Sequence, residues 1–260
     1  HRDLHSFPTR RSSDLVKIVS RGHLGSYIEK INYKKLQEYA GVRDKLCVMP
    51  LPYSLRYEGI ATALTRMLDK GRAFNLSYMN GSGRRVHALQ SGPYDCVLLS
   101  AFAAESFMNE GVALEIAVSL GPGSFLEKHV LIYSLSSPQK SKTLGVDPES
   151  RDQLLLTNEY VKSRGDIAIK EIPYTQIIKR IQSREIDGAI WNLDYIKEHA
   201  VNVKYENLAH EEYHDLMSEA VLVTRRGDVM MQEFLKRSIQ PDTVLSIQGR
   251  VIRGELIPEY

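Results

Sequence analysis

The sequence predicts an α/β protein built as two similar lobes, and three observations predict it. Lys179–Asn192 (KRIQSREIDGAIWN) reads as a helix end, a tight turn and a buried strand. His87–Ser100 (HALQSGPYDCVLLS) copies that stretch without gaps. Gln182 falls on Gln90, Ser183 on Ser91 and Asp187 on Asp95, and the copies end at Asn192 and Ser100. From Leu46 onward strand-like and helix-like runs alternate, the order that parallel strands with helical crossovers produce. A short apolar run behind an Asp turn suits a strand buried on both faces. In open α/β sheets ligands bind beyond the carboxyl ends of the strands. Ser100 and Asn192 are therefore expected to face each other across a cleft.

Taken in order, residues 1–15 (HRDLHSFPTRRSSDL) have neither periodicity nor the apolar centre of a signal peptide. They resemble a translated adaptor or vector read-through and are set aside, which implies a natural chain extending upstream of Val16. Residues 16–32 read as a β-hairpin around a basic Gly-containing turn, Ser20–Ser26. A basic hairpin of this kind resembles the wing of a winged helix-turn-helix, in which Arg21 and His23 would touch DNA. Residues 33–45 read as a linker with a short helical stretch. Strand 46–53 is stopped by prolines. Ile60, Ala61, Leu64, Met67 and Leu68 give residues 55–71 helical spacing, ended by Gly71. Strand 74–81 follows, then a helix beginning near Arg85, strand YDCVLLSA, helix FAAESFMNEG and strand 113–122.

The second half repeats the order. Strands 129–135 and 142–147 precede a helix over 150–165 with Ser150 as its N-cap and Gly165 as its stop. Strand IAIKEIPY, helix TQIIKRIQSRE, strand DGAIWN and the short helix LDYIKEHA follow. Strand 218–226 and a C-terminal helix opening at 230–237 close the chain. This order is that of type-2 periplasmic-binding-protein folds, with two crossover strands. It places lobe 1 at 46–125 and 225–260 and lobe 2 at 130–217.

Composition narrows the function. A chain of 260 residues, 43% hydrophobic, can bury one large core or two ordinary ones. No eighteen-residue apolar run exists, so no membrane partner is expected. Cys47 and Cys96 lie in apolar strand-like runs and read as buried free thiols suited to a reducing cytoplasm, with a strand-to-strand disulfide as the weaker alternative. Net charge is +2, yet residues 16–45 hold seven Lys/Arg against three Asp/Glu, a local +4. With +1 in residues 1–15, the remainder totals −3. A basic head fits a nucleic-acid contact or, equally, a solvated linker.

Site candidates follow from the cleft. Pro50–Arg56 places a helix N-terminus at the first strand's end, which favours an anion. Tyr53 and Ser54 could hydrogen-bond a ligand, and Arg56 and Arg84 could pair with a carboxylate or phosphate. Asn80 opens the Gly-containing turn NGSGR, Asp147 ends a second-lobe strand, and Glu219 sits at the second crossover. Trp191, the single tryptophan, reads as core rather than as a stacking platform. The eight histidines form no metal pattern; His210 and His214 are spaced i, i+4 without an HExxH order. No GxSxG elbow exists and the sequence offers no nucleophile–base constellation, so enzyme activity is not expected; no cofactor is expected either.

Seven segments carry a resemblance: SRGHLGSYIE, MPLPYSLRYEGIATAL, AAESF, LGPGSF, DGAIWN, SEAVLVT and RVIRGELIPEY. Across residues 16–260 the chain resembles the YhfZ proteins. The resemblance implies a transcriptional regulator with an N-terminal helix-turn-helix and a C-terminal effector-binding domain of the fold above. It implies a small-molecule effector of unstated identity and brings no catalytic activity with it; the regulator so read is expected to be a cytoplasmic homodimer. The recognition helices of that family have no counterpart here, which sets DNA binding by this chain apart as an open expectation. The competing expectation is an extracytoplasmic solute-binding protein of the same fold.

Overall fold

Two five-stranded sheets with one shared strand order organise the chain. The structure, a computed structural model, describes residues 16–20, 25–32, 44–68, 74–135, 142–199, 202–208 and 213–260. Arg21, His23 and the helical stretch expected after Tyr33 lie outside the described residues. Strands β1 (Val16–Ser20) and β2 (Ser26–Ile31) pair antiparallel as the expected hairpin, with Ile18 opposite Ile28 and Val19 opposite Tyr27.

The first sheet contains β3 (Lys45–Met49), β4 (Phe74–Tyr78), β5 (Cys96–Ser100), β6 (Leu114–Ser119) and β12 (Ala220–Arg225), in the order β4-β3-β5-β12-β6. The second contains β7 (His129–Ser134), β8 (Thr143–Val146), β9 (Ala168–Glu171), β10 (Gly188–Asn192) and β11 (Val203–Asn207), in the order β9-β8-β10-β7-β11. One strand in each, β12 and β7, runs antiparallel to its neighbours. Each sheet thus reads second, first, third, reversed, fourth, which is a duplicated topology. The chain passes between lobes after β6 and again before β12.

The repeated aspartates explain the sequence repeat. Asp95 ahead of β5 accepts from the Leu46 N–H at 2.9 Å, while its own N–H donates to the Leu46 carbonyl at 2.7 Å. Asp187 ahead of β10 accepts from the N–H groups of Lys142 and Thr143 at 2.8 Å, and its N–H donates to the Thr143 carbonyl at 2.9 Å. Each aspartate fastens the start of its lobe's first strand to its third. Such charge-assisted bonds fix the register of the two strands that carry the cleft.

Helices cover both faces of each sheet, and every residue of β5 and β10 is buried. In lobe 1, Cys47, Met49, Cys96 and Leu98 face α1 (Leu55–Leu68), α8 (Val229–Ser238) and α9 (Pro241–Ile252). Val48, Val97 and Leu99 face α2 (Ser82–Ser91) and α3 (Ala101–Asn109). In lobe 2, Ala189 and Trp191 pack towards α5 (Ile177–Gln182) and α6 (Leu193–Glu198), which a 3-10 turn at Tyr174–Gln176 precedes. Ile190 packs towards α4 (Arg151–Arg164) and α7 (His214–Ser218). The alternation of neighbouring residues between two cores is what continuous apolar strands require.

One expectation is corrected. Cys47 and Cys96 are not free thiols but a disulfide, with Cα atoms 4.6 Å apart. The cause is register: Cys47 and Cys96 are direct partners across the parallel β3–β5 pair, and both are wholly buried.

α1 meets α9 at unusually short range through Gly59, where a Cβ would lie 2.7 Å from the Gln248 Cα. Gly59→Ala improves helix propensity by about 1 kcal/mol but forces two backbones apart, at a cost of about 1–3 kcal/mol. The expected result is a lower urea midpoint at unchanged m value; a higher midpoint would show that the helices yield without loss.

Candidate functional site

The two homologous strand ends meet in one cavity. Ser100 ends β5 and caps α3, its Oγ accepting from the Ala103 N–H at 3.1 Å. Asn192 ends β10 and caps α6, its Oδ1 accepting from the Asp194 N–H at 2.8 Å. Both line an inter-lobe cavity of about 60 Å³. A water needs some 10–15 Å³ of such volume, so several waters or a small metabolite fit without further opening.

Aromatic rings wall the cavity. Tyr53 and Tyr57 from lobe 1 meet edge to face at 5.2 Å, and Tyr57 meets Phe125 at 5.1 Å. From lobe 2, Tyr174 stacks on Trp191 at 4.0 Å. The hydroxyl of Tyr53 bonds that of Tyr174 at 3.0 Å, across the lobes. Burial raises the pKa of all three tyrosines, Tyr53, Tyr57 and Tyr174, so they remain neutral donors and acceptors.

Two charges sit among these rings. Arg85, on the first turn of α2, is 4% exposed and donates from Nε to the Leu98 carbonyl at 3.1 Å and from Nη1 to the Met79 carbonyl at 2.9 Å. Burial lowers its pKa to about 10, which leaves it cationic at neutral pH. Asp152, on the first turn of α4, is 7% exposed and accepts from Ser100 Oγ at 2.9 Å, lobe to lobe. Burial pushes its pKa up to about 7, against the Ser100 hydrogen bond and the charge of Arg85. His129 also lines the cavity; burial, and secondarily the charge of His214, pulls its pKa down to about 4, so it is neutral.

The lobes are closed at both rims. Arg56 Nε and Nη2 donate to Asp194 Oδ1 at 3.2 and 3.1 Å, and the Leu55 N–H donates to Glu198 Oε2 at 2.8 Å. On the other side the Gly83 N–H donates to the Glu149 carbonyl at 3.0 Å, and the Arg151 N–H donates to Ser82 Oγ at 3.1 Å.

Of the residues singled out from the sequence, Tyr53, Asn80, Ser100 and Asn192 line this cavity. The others are placed elsewhere. Ser54 accepts from the Tyr57 N–H at 3.3 Å. Arg56 is engaged with Asp194 at the rim, and Arg84 is exposed. Asp147 accepts from the N–H groups of Glu149 and Tyr174, both at 3.0 Å, and so shapes the loop that presents Tyr174. Glu219 accepts from Ser119 Oγ. Sequence reasoning missed Tyr57, Arg85, Phe125, His129, Asp152, Gln153 and Tyr174, all of which line the cavity. Helix phase could have found Arg85, which shares the buried face of α2 with Ser82, Val86 and Leu89. Trp191 belongs to the core and to the cavity wall at once.

Among the described residues there is no metal-ligating cluster and no helix long and apolar enough to cross a membrane. The profile of the YhfZ C-terminal domain family matches residues 32–260. YhfZ of Escherichia coli (strain K12) is 32% identical over 253 residues, covering 97% of this chain and 83% of that protein. The crystal structure of YhfZ from Shigella flexneri superposes with a TM-score of 0.70 at 31% identity, over 87% of this chain and 97% of that one. An amino acid ABC transporter substrate-binding protein from Streptococcus pneumoniae, bound to L-arginine, superposes with a TM-score of 0.60 at 11% identity, over 84% of this chain and 97% of that one. At that identity the likeness concerns the fold, which is of the type-2 periplasmic-binding-protein kind.

Proposed function

This chain belongs to the YhfZ family, and on that premise we propose that it is the small-molecule-sensing domain of a DNA-binding transcriptional regulator. The observation that carries the reading is the inter-lobe cavity, whose polar groups come from both lobes and bond one another, Ser100 to Asp152 and Tyr53 to Tyr174. A guest that replaces or bridges those bonds couples its own binding to the spacing of the lobes. In a cytoplasmic homodimer that spacing sets the separation of two DNA-binding heads, of which the β1–β2 hairpin would be the wing. No catalytic step belongs to this reading.

The test is a thermal-shift screen of metabolites on residues 16–260, followed by gel retardation with the natural upstream region restored. A ligand at one hundred times its Kd adds about 2.7 kcal/mol of stability. It is expected to alter retardation of the gene's own promoter at low salt. Absence of any retardation, with or without ligand, contradicts the regulator reading.

The Cys47–Cys96 disulfide favours a second reading, an extracytoplasmic solute-binding protein, because disulfides persist in oxidising compartments. Thiol titration of protein unfolded directly from cells distinguishes the two. The disulfide already closed in cells agrees with the solute-binding protein, whereas a pair that is reduced in cells and closes only on exposure to oxidant agrees with the cytoplasmic regulator.

A further inference from the structure

Resting on that sensing role, we propose that the guest is a small zwitterion, carrying its carboxylate to Arg85 and its ammonium to Asp152. Arg85 is a buried guanidinium held by two backbone carbonyls, with no carboxylate within ion-pair distance among the described residues. Buried charges are stable when paired, and an incoming carboxylate supplies the missing partner at Nη2, which enters no hydrogen bond among the described residues. Asp152 has the complementary position on the other lobe. Its Oδ1 takes the Ser100 hydroxyl, and Oδ2 enters no hydrogen bond among the described residues.

Two further atoms define the guest. Trp191 Nε1 and Asn192 Nδ2 are buried donors with no acceptor among the described residues, and both residues line the cavity at 3% exposure. Leaving such donors unmet costs about 1–3 kcal/mol each, so the guest brings oxygen atoms towards the end of β10. A dianion would satisfy Arg85 and these donors but would face the Asp152 carboxylate unpaired. A polyol would leave each charge only the other, beyond ion-pair distance, to balance it. A molecule with one carboxylate and one ammonium, separated by a few carbons, satisfies all four groups within the small cavity. The aromatic walls then contact its carbon skeleton and, through their faces, its ammonium.

The only tryptophan of the chain reports on this. Residues 16–260 are titrated with size-matched sets: small amino acids, dicarboxylates and inorganic phosphate, and short polyols. The expected result is that members of the amino-acid set alone shift Trp191 fluorescence and raise Tm. Asp152→Asn is expected to weaken the best of them at least 100-fold without lowering the Tm of the ligand-free protein. If that variant does not fold, removing the amine from the ligand reads the same contact on the unmodified protein, with the same loss expected. A response to dicarboxylate, phosphate or polyol but not to any zwitterion overturns the zwitterion and leaves the sensing role standing. If no set, and no pool of low-molecular-weight metabolites, moves Trp191 fluorescence or Tm, both fall.

Discussion

Arg56→Ala is expected to lower the unfolding free energy by up to about 3 kcal/mol, the lower end of the cost of leaving one member of a buried ion pair alone, because this pair is part-buried. The side chain of Asp194 is 7% exposed and that of Arg56 is 18% exposed, so solvent screens the pair little. Asp194 Oδ2 is committed to the Glu127 N–H at 2.7 Å and cannot turn to water. Arg56 also donates to the Gly123 carbonyl on the segment that crosses between lobes. The loss therefore falls on the joint of the two lobes as well as on stability. Urea unfolding checks it, and Arg56→Ala with Asp194→Asn is expected to recover part of the loss. A change under 1 kcal/mol in the single variant would show a solvated pair.

Asp152 and His129 give the second large effect, and their signs oppose. Asp152 has a folded pKa raised to about 7 from 3.8, so the folded state holds the proton more tightly. That contribution to stability is complete below pH 4 and is lost as pH rises through 7, by up to roughly 4 kcal/mol. His129 has a folded pKa lowered to about 4 from 6.5, so the unfolded state binds more protons between those values. Its contribution rises with pH over that window. The two slopes offset in the natural protein. In Asp152→Asn the unfolding free energy is expected to climb from pH 4 to 6.5; in His129→Gln it is expected to fall from pH 4 to 7. Urea titrations at a series of pH values read both. Parallel profiles for the three proteins would mean that neither group is desolvated. An ammonium-bearing guest needs the ionised Asp152, so its affinity is expected to fall about tenfold per pH unit below 7.

The duplicated architecture was legible because two fourteen-residue stretches repeat, and their aspartates perform one task, fastening strand starts. The cavity-facing ends Ser100 and Asn192 followed from that repeat alone. β11 was missed because it is an edge strand, exposed over most of its length and without alternation. α9 was missed as a separate helix, although Pro241 at its first position is a start signal. Arg84 was chosen over Arg85 by its place in a loop-like NGSGR segment, which proves to enter the first turn of α2. Asp152, Phe125 and Tyr174 come to the cavity from three separate segments, and their convergence depends on how the lobes close. The disulfide depended on strand register, which no local pattern in β3 or β5 declares.

The central claim is that both lobes hold one guest between their third strands. A crystal structure of residues 16–260 with the compound giving the largest thermal shift tests it directly. Ligand density between Ser100 and Asn192, contacting Arg85 from one lobe and Asp152 from the other, is the predicted result. Density confined to one lobe, or lying outside the cavity while Ser100 remains bonded to Asp152, would contradict it.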